Sequence, residues 1–93
     1  MEKISSWRRK IDKVDRQILN FIKRRAEICE SIGEIKREQG CDIRDLNREE
    51  ERYEYVAQRA AELELDPQKT KKIYQEIIAL CIDVQKRVIS QEV

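Results

Sequence analysis

Ile4, Trp7, Ile11, Val14, Ile18 and Phe21, then Ile28, Ile32 and Ile35, follow one another in alternating steps of three and four; Arg25 holds the one place where an apolar residue belongs. Such steps trace a single stripe along an amphipathic α-helix with coiled-coil-like packing. The pattern predicts a first helix over about residues 4–39, stopped by Gly40 as a C-terminal cap. Gly33 falls inside it and marks close packing or a local weakening. Residues 40–44 read as a loop. A second helix is expected over about residues 46–63; Asp45 or Asn47 can cap it, and Asn47 with Glu50 has capping-box spacing. Asp66-Pro67 supplies an N-cap followed by proline at the first helical position, opening a third helix over about residues 67–90. That helix carries Ile73, Ile77, Cys81, Val84 and Val88 on one stripe. No period-two alternation appears, so the fold class is all-α, with three helices, one very long, in a single domain over residues 1–93.

Helix length carries a further implication. The first helix, at ~1.5 Å per residue, spans roughly 54 Å. A compact chain of this size has a radius of gyration of about 12 Å and a diameter near ~32 Å. The helix therefore overhangs any monomeric globule, while its stripe stays apolar along nearly all of its length. A second copy in a two-fold homodimer is the simplest partner for the overhang. A plain dimerising coiled coil with no ligand is the alternative.

Composition narrows the function classes. Charged residues make up 42% of the chain, yet 20 basic and 19 acidic side chains nearly cancel to +1. The signs are interleaved with no basic block, which argues against general nucleic-acid or membrane-surface binding. No stretch approaches the ~20 apolar residues of a membrane span, and the N-terminus lacks the apolar core of a secretory signal. A soluble cytoplasmic protein is expected. Cys29, Cys41 and Cys81 are odd in number and widely separated, which favours reduced thiols over a disulfide framework. Histidine is absent, which removes Ser-His and Cys-His catalysis and the commonest zinc ligand. Any chemistry must run on charge and hydrogen bonds.

The polar residues that break the coiled-coil pattern are the candidates for that chemistry. A guanidinium aimed into a helical seam is costly unless an anion meets it, so Arg25 makes either an internal ion pair or a ligand contact. Lys36 lies eleven residues further on, three turns with about 20° left over, on the same side and roughly 16 Å along the axis. The two side chains can converge on a small dianion. Arg8 flanks the seam seventeen residues before Arg25, about 25 Å away; only an antiparallel partner brings it to the same site. Gln85 sits on one face with Ile78 and Cys81. Asp45-Leu46-Asn47-Arg48-Glu49 places acceptors and a cation at a helix N-terminus, an anion-contacting end. Each has a plainer explanation: Arg8 and Lys36 as solvated charges, Asp45 and Glu49 as capping and dipole residues, Gln85 as a structural amide.

Taken together, the residues resemble a known family. The run Trp7-Arg8-Arg9-Lys10-Ile11-Asp12-Lys13-Val14-Asp15, then Leu19 and Arg24-Arg25, then Ile32-Gly33-Glu34-Ile35-Lys36, is similar to the small all-helical chorismate mutases. So are Arg44-Asp45-Leu46-Asn47-Arg48-Glu49 and Ile77-Ile78-Ala79-Leu80-Cys81-Ile82-Asp83-Val84-Gln85. The likeness covers nearly the whole chain without a gap. It implies an intertwined helical homodimer with two active sites that converts chorismate to prephenate, a Claisen rearrangement on the route to phenylalanine and tyrosine. It further implies that Arg25 binds one substrate carboxylate and Arg8 of the second copy the other. Lys36 and Gln85 would donate to the ether oxygen. Glu49 and the backbone near Asp45 would hold the ring hydroxyl, with Arg48 in support. Cys81 departs from the serine often found near the ring carboxylate, and a thiol is a weaker donor. Such a pericyclic reaction needs no nucleophile, metal or cofactor. Isochorismate-pyruvate lyases share the scaffold, but relatives of that kind tend to be apolar where this chain has Glu49. A non-enzymatic helical dimerisation module is the other alternative. Family domains are often fused to further enzymes, so the chain is expected to be free-standing or a piece of such a fusion.

Overall fold

The computed structural model describes residues 2–91; Met1, Glu92 and Val93, the ends of the expected domain, lie outside the described residues. It is all-helical, as the apolar spacing requires: α1 (Glu2–Gln39), α2 (Leu46–Glu62) and α3 (Pro67–Ser90), with no strand among the described residues.

The ends of the helices follow from local chemistry. Gly40 adopts φ +67, and the Gly40 N–H donates to the Arg37 carbonyl at 3.4 Å while the Cys41 N–H donates to that of Lys36 at 2.9 Å. This is a Schellman closure, which suits a residue without Cβ. Asp45, rather than Asn47, caps α2, its side chain accepting from the Arg48 N–H at 3.0 Å. Asp66 caps α3 by accepting from the Lys69 N–H at 2.9 Å, with Pro67 just inside the helix. The α2 terminus closes with the same bond pattern as α1, but the left-handed position falls to Glu64, at φ 60.

Helix α3 is the centre of the fold, packed on α1 along one side and on α2 along the other. The core is small: Cys29 from α1, Val56 and Ala60 from α2, and Ile78, Val84 and Val88 from α3. Gly33 resolves as a point of close approach. A Cβ there would lie 3.2 Å from Gln85 Cα, so α1 and α3 come together backbone to backbone. Arg37 adds a clamp, its guanidinium donating to the Val88 carbonyl at 3.1 Å.

The rest of α1 runs free. Every residue from Lys3 to Phe21 is exposed, including Trp7 at 62% and Phe21 at 61%. The chain measures 56 × 28 × 14 Å with a radius of gyration of 16.8 Å, well above the ~12 Å of a compact globule. A thickness of 14 Å is close to the ~10–12 Å diameter of one helix, so the chain is a single layer. Domains ordinarily bury such a layer against another.

One expectation is overturned. Cys29 and Cys81 are not separate reduced thiols; a disulfide joins them, Cα to Cα 5.5 Å, linking α1 to α3 across 52 residues of sequence. Wide separation along the chain hid the pairing, because α1 and α3 pack parallel, with α2 running between them in sequence, and so bring turns far apart in the chain together. Cys41 is the free, exposed thiol.

Candidate functional site

The turn of α1 that holds Cys29 has Arg25 one turn before it and Lys36 two turns beyond, all facing α3. Helix α3 answers with Cys81 and, one turn later, Gln85. The capped N-terminus of α2 supplies Asp45, Arg48 and Glu49 from the third side. These residues line one cleft of about 390 Å³, together with Ile28, Ile32, Ile43, Arg52 and Ile78. That volume is within the range of small-molecule sites, and the lining of apolar walls with a few convergent polar groups is typical of them. A larger, shallower hollow of about 690 Å³ lies on the other side of Lys36, but it lacks Arg25, Glu49 and Gln85.

Seven of the eight residues expected at a site therefore meet. Arg8 is the exception: it is exposed on the free half of α1, too far along the helix to reach the cleft of its own chain. The residues that the sequence reading did not assign are Cys29, Arg44 and Arg52. Arg52 follows Arg48 by one helical turn, a spacing that places both on one face. Arg44 precedes Glu49 by five residues across the Asp45 cap of α2, which no helical spacing would flag.

The electrostatics favour an anionic guest. Arg25 is half-buried, and among the described residues its side chain makes one polar contact, a long one, Nη1 to Cys29 Sγ at 3.9 Å. Lys36 is half-buried and donates to the Ile43 carbonyl. Among the described residues, no carboxylate stands within ion-pair distance of either. Glu49 is already engaged: Arg44 grips both its oxygens, Nη2 at 2.7 Å and Nε at 3.1 Å. That hydrogen-bonded pairing holds the Glu49 carboxyl below the ordinary range, against a partial opposing push from burial, and the nearby Lys36 charge adds to the lowering. Glu49 is thus an ionised acceptor, fixed in orientation, on a different helix from Arg25 and Lys36. Gln85 is 4% exposed; its Nε2 donates to Cys81 Sγ at 3.1 Å and its Oε1 has no partner. The unpartnered Oε1 is an acceptor and offers nothing to an anion, so the group that can serve such a guest is the second N–H of Nε2. Cys81, expected to offer a thiol here, has its sulfur in the disulfide and carries no S–H to donate.

Such a cleft, with Arg25 and Lys36 on the α1 wall, the fixed Glu49 carboxylate beside Arg48 and Arg52 on the α2 wall, and a buried amide from α3, suits a compact dianion that also bears a hydroxyl. Residues 7–86 match the family model of chorismate mutase type II. The chain is 33% identical over 91 residues to the bifunctional chorismate mutase/prephenate dehydratase of Aquifex aeolicus, covering 95% of this chain and 25% of that protein. It is 31% identical over 91 residues to the chorismate mutase of Methanocaldococcus jannaschii, covering 98% of this chain and 92% of that protein. A solved structure of a conserved hypothetical protein from Pyrococcus furiosus superposes with a TM-score of 0.72 at 36% identity, over 91% of this chain and 97% of that one. The chain belongs to the chorismate mutase type II family, and the domain is that of an isomerase. Among the described residues, no helix is long and apolar enough to cross a membrane.

Proposed function

We propose that this protein converts chorismate to prephenate as a homodimer, binding the substrate in the cleft between α1, α3 and the start of α2. The observation that carries the reading is the convergence of Arg25, Lys36, Gln85 and Glu49 on one cleft in which, among the described residues, neither Arg25 nor Lys36 has a carboxylate within ion-pair distance. The rearrangement is unimolecular and pericyclic, so the protein's work is to hold a compact, chair-like conformer and to stabilise charge. Arg25 takes one carboxylate of the substrate by a paired, planar contact. The ring hydroxyl donates to Glu49, which Arg44 keeps ionised and aimed. As the C–O bond breaks, negative charge grows on the ether oxygen. Lys36 and the second N–H of Gln85 Nε2 meet it there, in a cleft partly shielded from water, and stabilise the transition state more than the ground state.

The second copy completes the site. The exposed stripe of α1, from Ile4 to Phe21, gives an apolar face continuous with the packed half of the same helix. An antiparallel partner laid along it covers that face and brings its own Arg8 to the open side of the cleft, where the remaining substrate carboxylate lies. Clamping both carboxylates lowers the entropic part of the barrier.

The test is disappearance of chorismate followed spectrophotometrically, with Lys36→Ala as the control. Loss of Lys36 is expected to lower kcat by at least ~10², on the precedent of oxyanion-stabilising donors, with folding unchanged. Chorismate decay no faster than in buffer refutes the reading, and pyruvate release from isochorismate without prephenate from chorismate turns it to the lyase. Mixing Arg8→Ala with Arg25→Ala chains should restore about one intact site per heterodimer; no recovery in verified heterodimers removes Arg8 from the shared site.

A further inference from the structure

The disulfide stands at an unusual place. Cys29 is one turn beyond Arg25 on α1, and Cys81 is one turn before Gln85 on α3. Both sulfurs line the cleft. Each also receives the functional side chain next to it, Arg25 Nη1 on Cys29 Sγ at 3.9 Å and Gln85 Nε2 on Cys81 Sγ at 3.1 Å. The packing that would otherwise keep the two walls in register is thin, because the described core holds six buried apolar residues and no large side chain fully enclosed.

We propose that the Cys29–Cys81 disulfide is a positioning element of the active site, holding the Arg25 wall and the Gln85 wall at the separation the reaction requires, so that the oxidised protein is the fully active form. This rests on the mutase reading above. The physical reason is that a transition state gripped from two helices loses stabilisation when either can drift; a misplacement near 1 Å costs about 10²-fold. A covalent link between the two turns that carry the gripping groups removes that freedom where it matters. The bridge touches neither the ether oxygen nor a carboxylate of the substrate, and it acts through Arg25 and Gln85.

The link is reversible by thiol–disulfide exchange. A dithiol reductant attacks as thiolate, and Cys81, half-buried, is the more accessible sulfur beside Cys29 at 3% exposure. The S–S bond breaks, both cysteines end as thiols, and the reductant's two sulfurs form the new disulfide, so electrons and protons balance.

The experiment compares oxidised and dithiothreitol-reduced wild-type protein at a temperature where circular dichroism reports equal helicity. Alkylation followed by mass measurement counts thiols, one (Cys41) in the oxidised form and three in the reduced. Reduction is expected to lower kcat at least tenfold with a smaller change in KM, and re-oxidation by a cyclic disulfide should restore it. Cys29→Ala should be low and indifferent to redox state. The Cys29→Val/Cys81→Val pair, which refills the space without the bond, should also be low and indifferent, and it covers the case in which the alanine variant does not fold. Three alkylated thiols before reduction, or equal kcat in folded oxidised and reduced protein, overturns the proposal while leaving the mutase reading standing. No turnover of chorismate by the oxidised wild type overturns the mutase reading itself.

Discussion

Gly33→Ala tests whether the α1–α3 approach sets the geometry of the site. The new Cβ would lie 3.2 Å from Gln85 Cα, 3.3 Å from Gln85 Cγ and 3.4 Å from Val88 Cβ. Favourable carbon–carbon contact begins near ~3.5 Å, so α3 must retreat by roughly 0.3 Å or more. The nearest atom is backbone in the middle of a helix, and no rotamer change relieves it. Two effects compete. Alanine in a helix interior is favoured over glycine by about 1 kcal/mol, while overpacking a close contact costs about 1–3 kcal/mol. The rigid neighbour decides for the second, giving a net loss of about 1 kcal/mol. The residue displaced is Gln85 itself, so kcat/KM should fall about tenfold, a fraction of the ~10² that a 1 Å misplacement costs. Urea unfolding followed by circular dichroism, at fixed protomer concentration because a dimer's stability depends on it, measures the first quantity. The chorismate assay measures the second. A raised urea midpoint with unchanged kcat/KM would refute the reasoning and leave Gly33 a mere weak spot in α1.

Three further outcomes are expected. Glu64, held at φ 60 to close α2, sits where a side chain is strained by about 1 kcal/mol; Glu64→Gly should raise the urea midpoint accordingly, and a fall would show the strain is absent. Glu49 is held below the ordinary carboxylate range chiefly by Arg44, so the stabilisation from that pair is present above the unfolded value of about 4.3 and is lost as pH falls through the lowered folded value. Arg44→Ala should therefore move the acid limb of kcat/KM upward, and a limb that stays in place would remove Arg44 from the control of Glu49. Opening the bridge that closes 52 residues should cost about 4 kcal/mol by loop-closure entropy; a difference under ~1 kcal/mol between oxidised and reduced chains would mean the unfolded state is already constrained there.

Local chemistry and periodicity are enough to make this an all-helical chain of three helices. A stripe in steps of three and four, Gly40 at a left-handed position and Asp66 before Pro67 are each read within a few residues of sequence, because helices and their caps are closed by bonds between near neighbours. Arg25 and Gln85 also announced themselves, as polar residues in apolar stripes. What no local pattern contains is which turns of α1 and α3 oppose each other. That register was decided by the approach of Gly33 to Gln85, and it alone put Cys29 against Cys81 and turned an expected pair of thiols into a bond. The grip of Arg44 on Glu49 is local by contrast, five residues apart across the Asp45 cap and the first turn of α2, and a helical spacing does not flag it because Arg44 lies just outside the helix. Local bonds thus wrote the helices, while contacts between residues far apart in the chain, each worth little until the helices pack, chose the cleft.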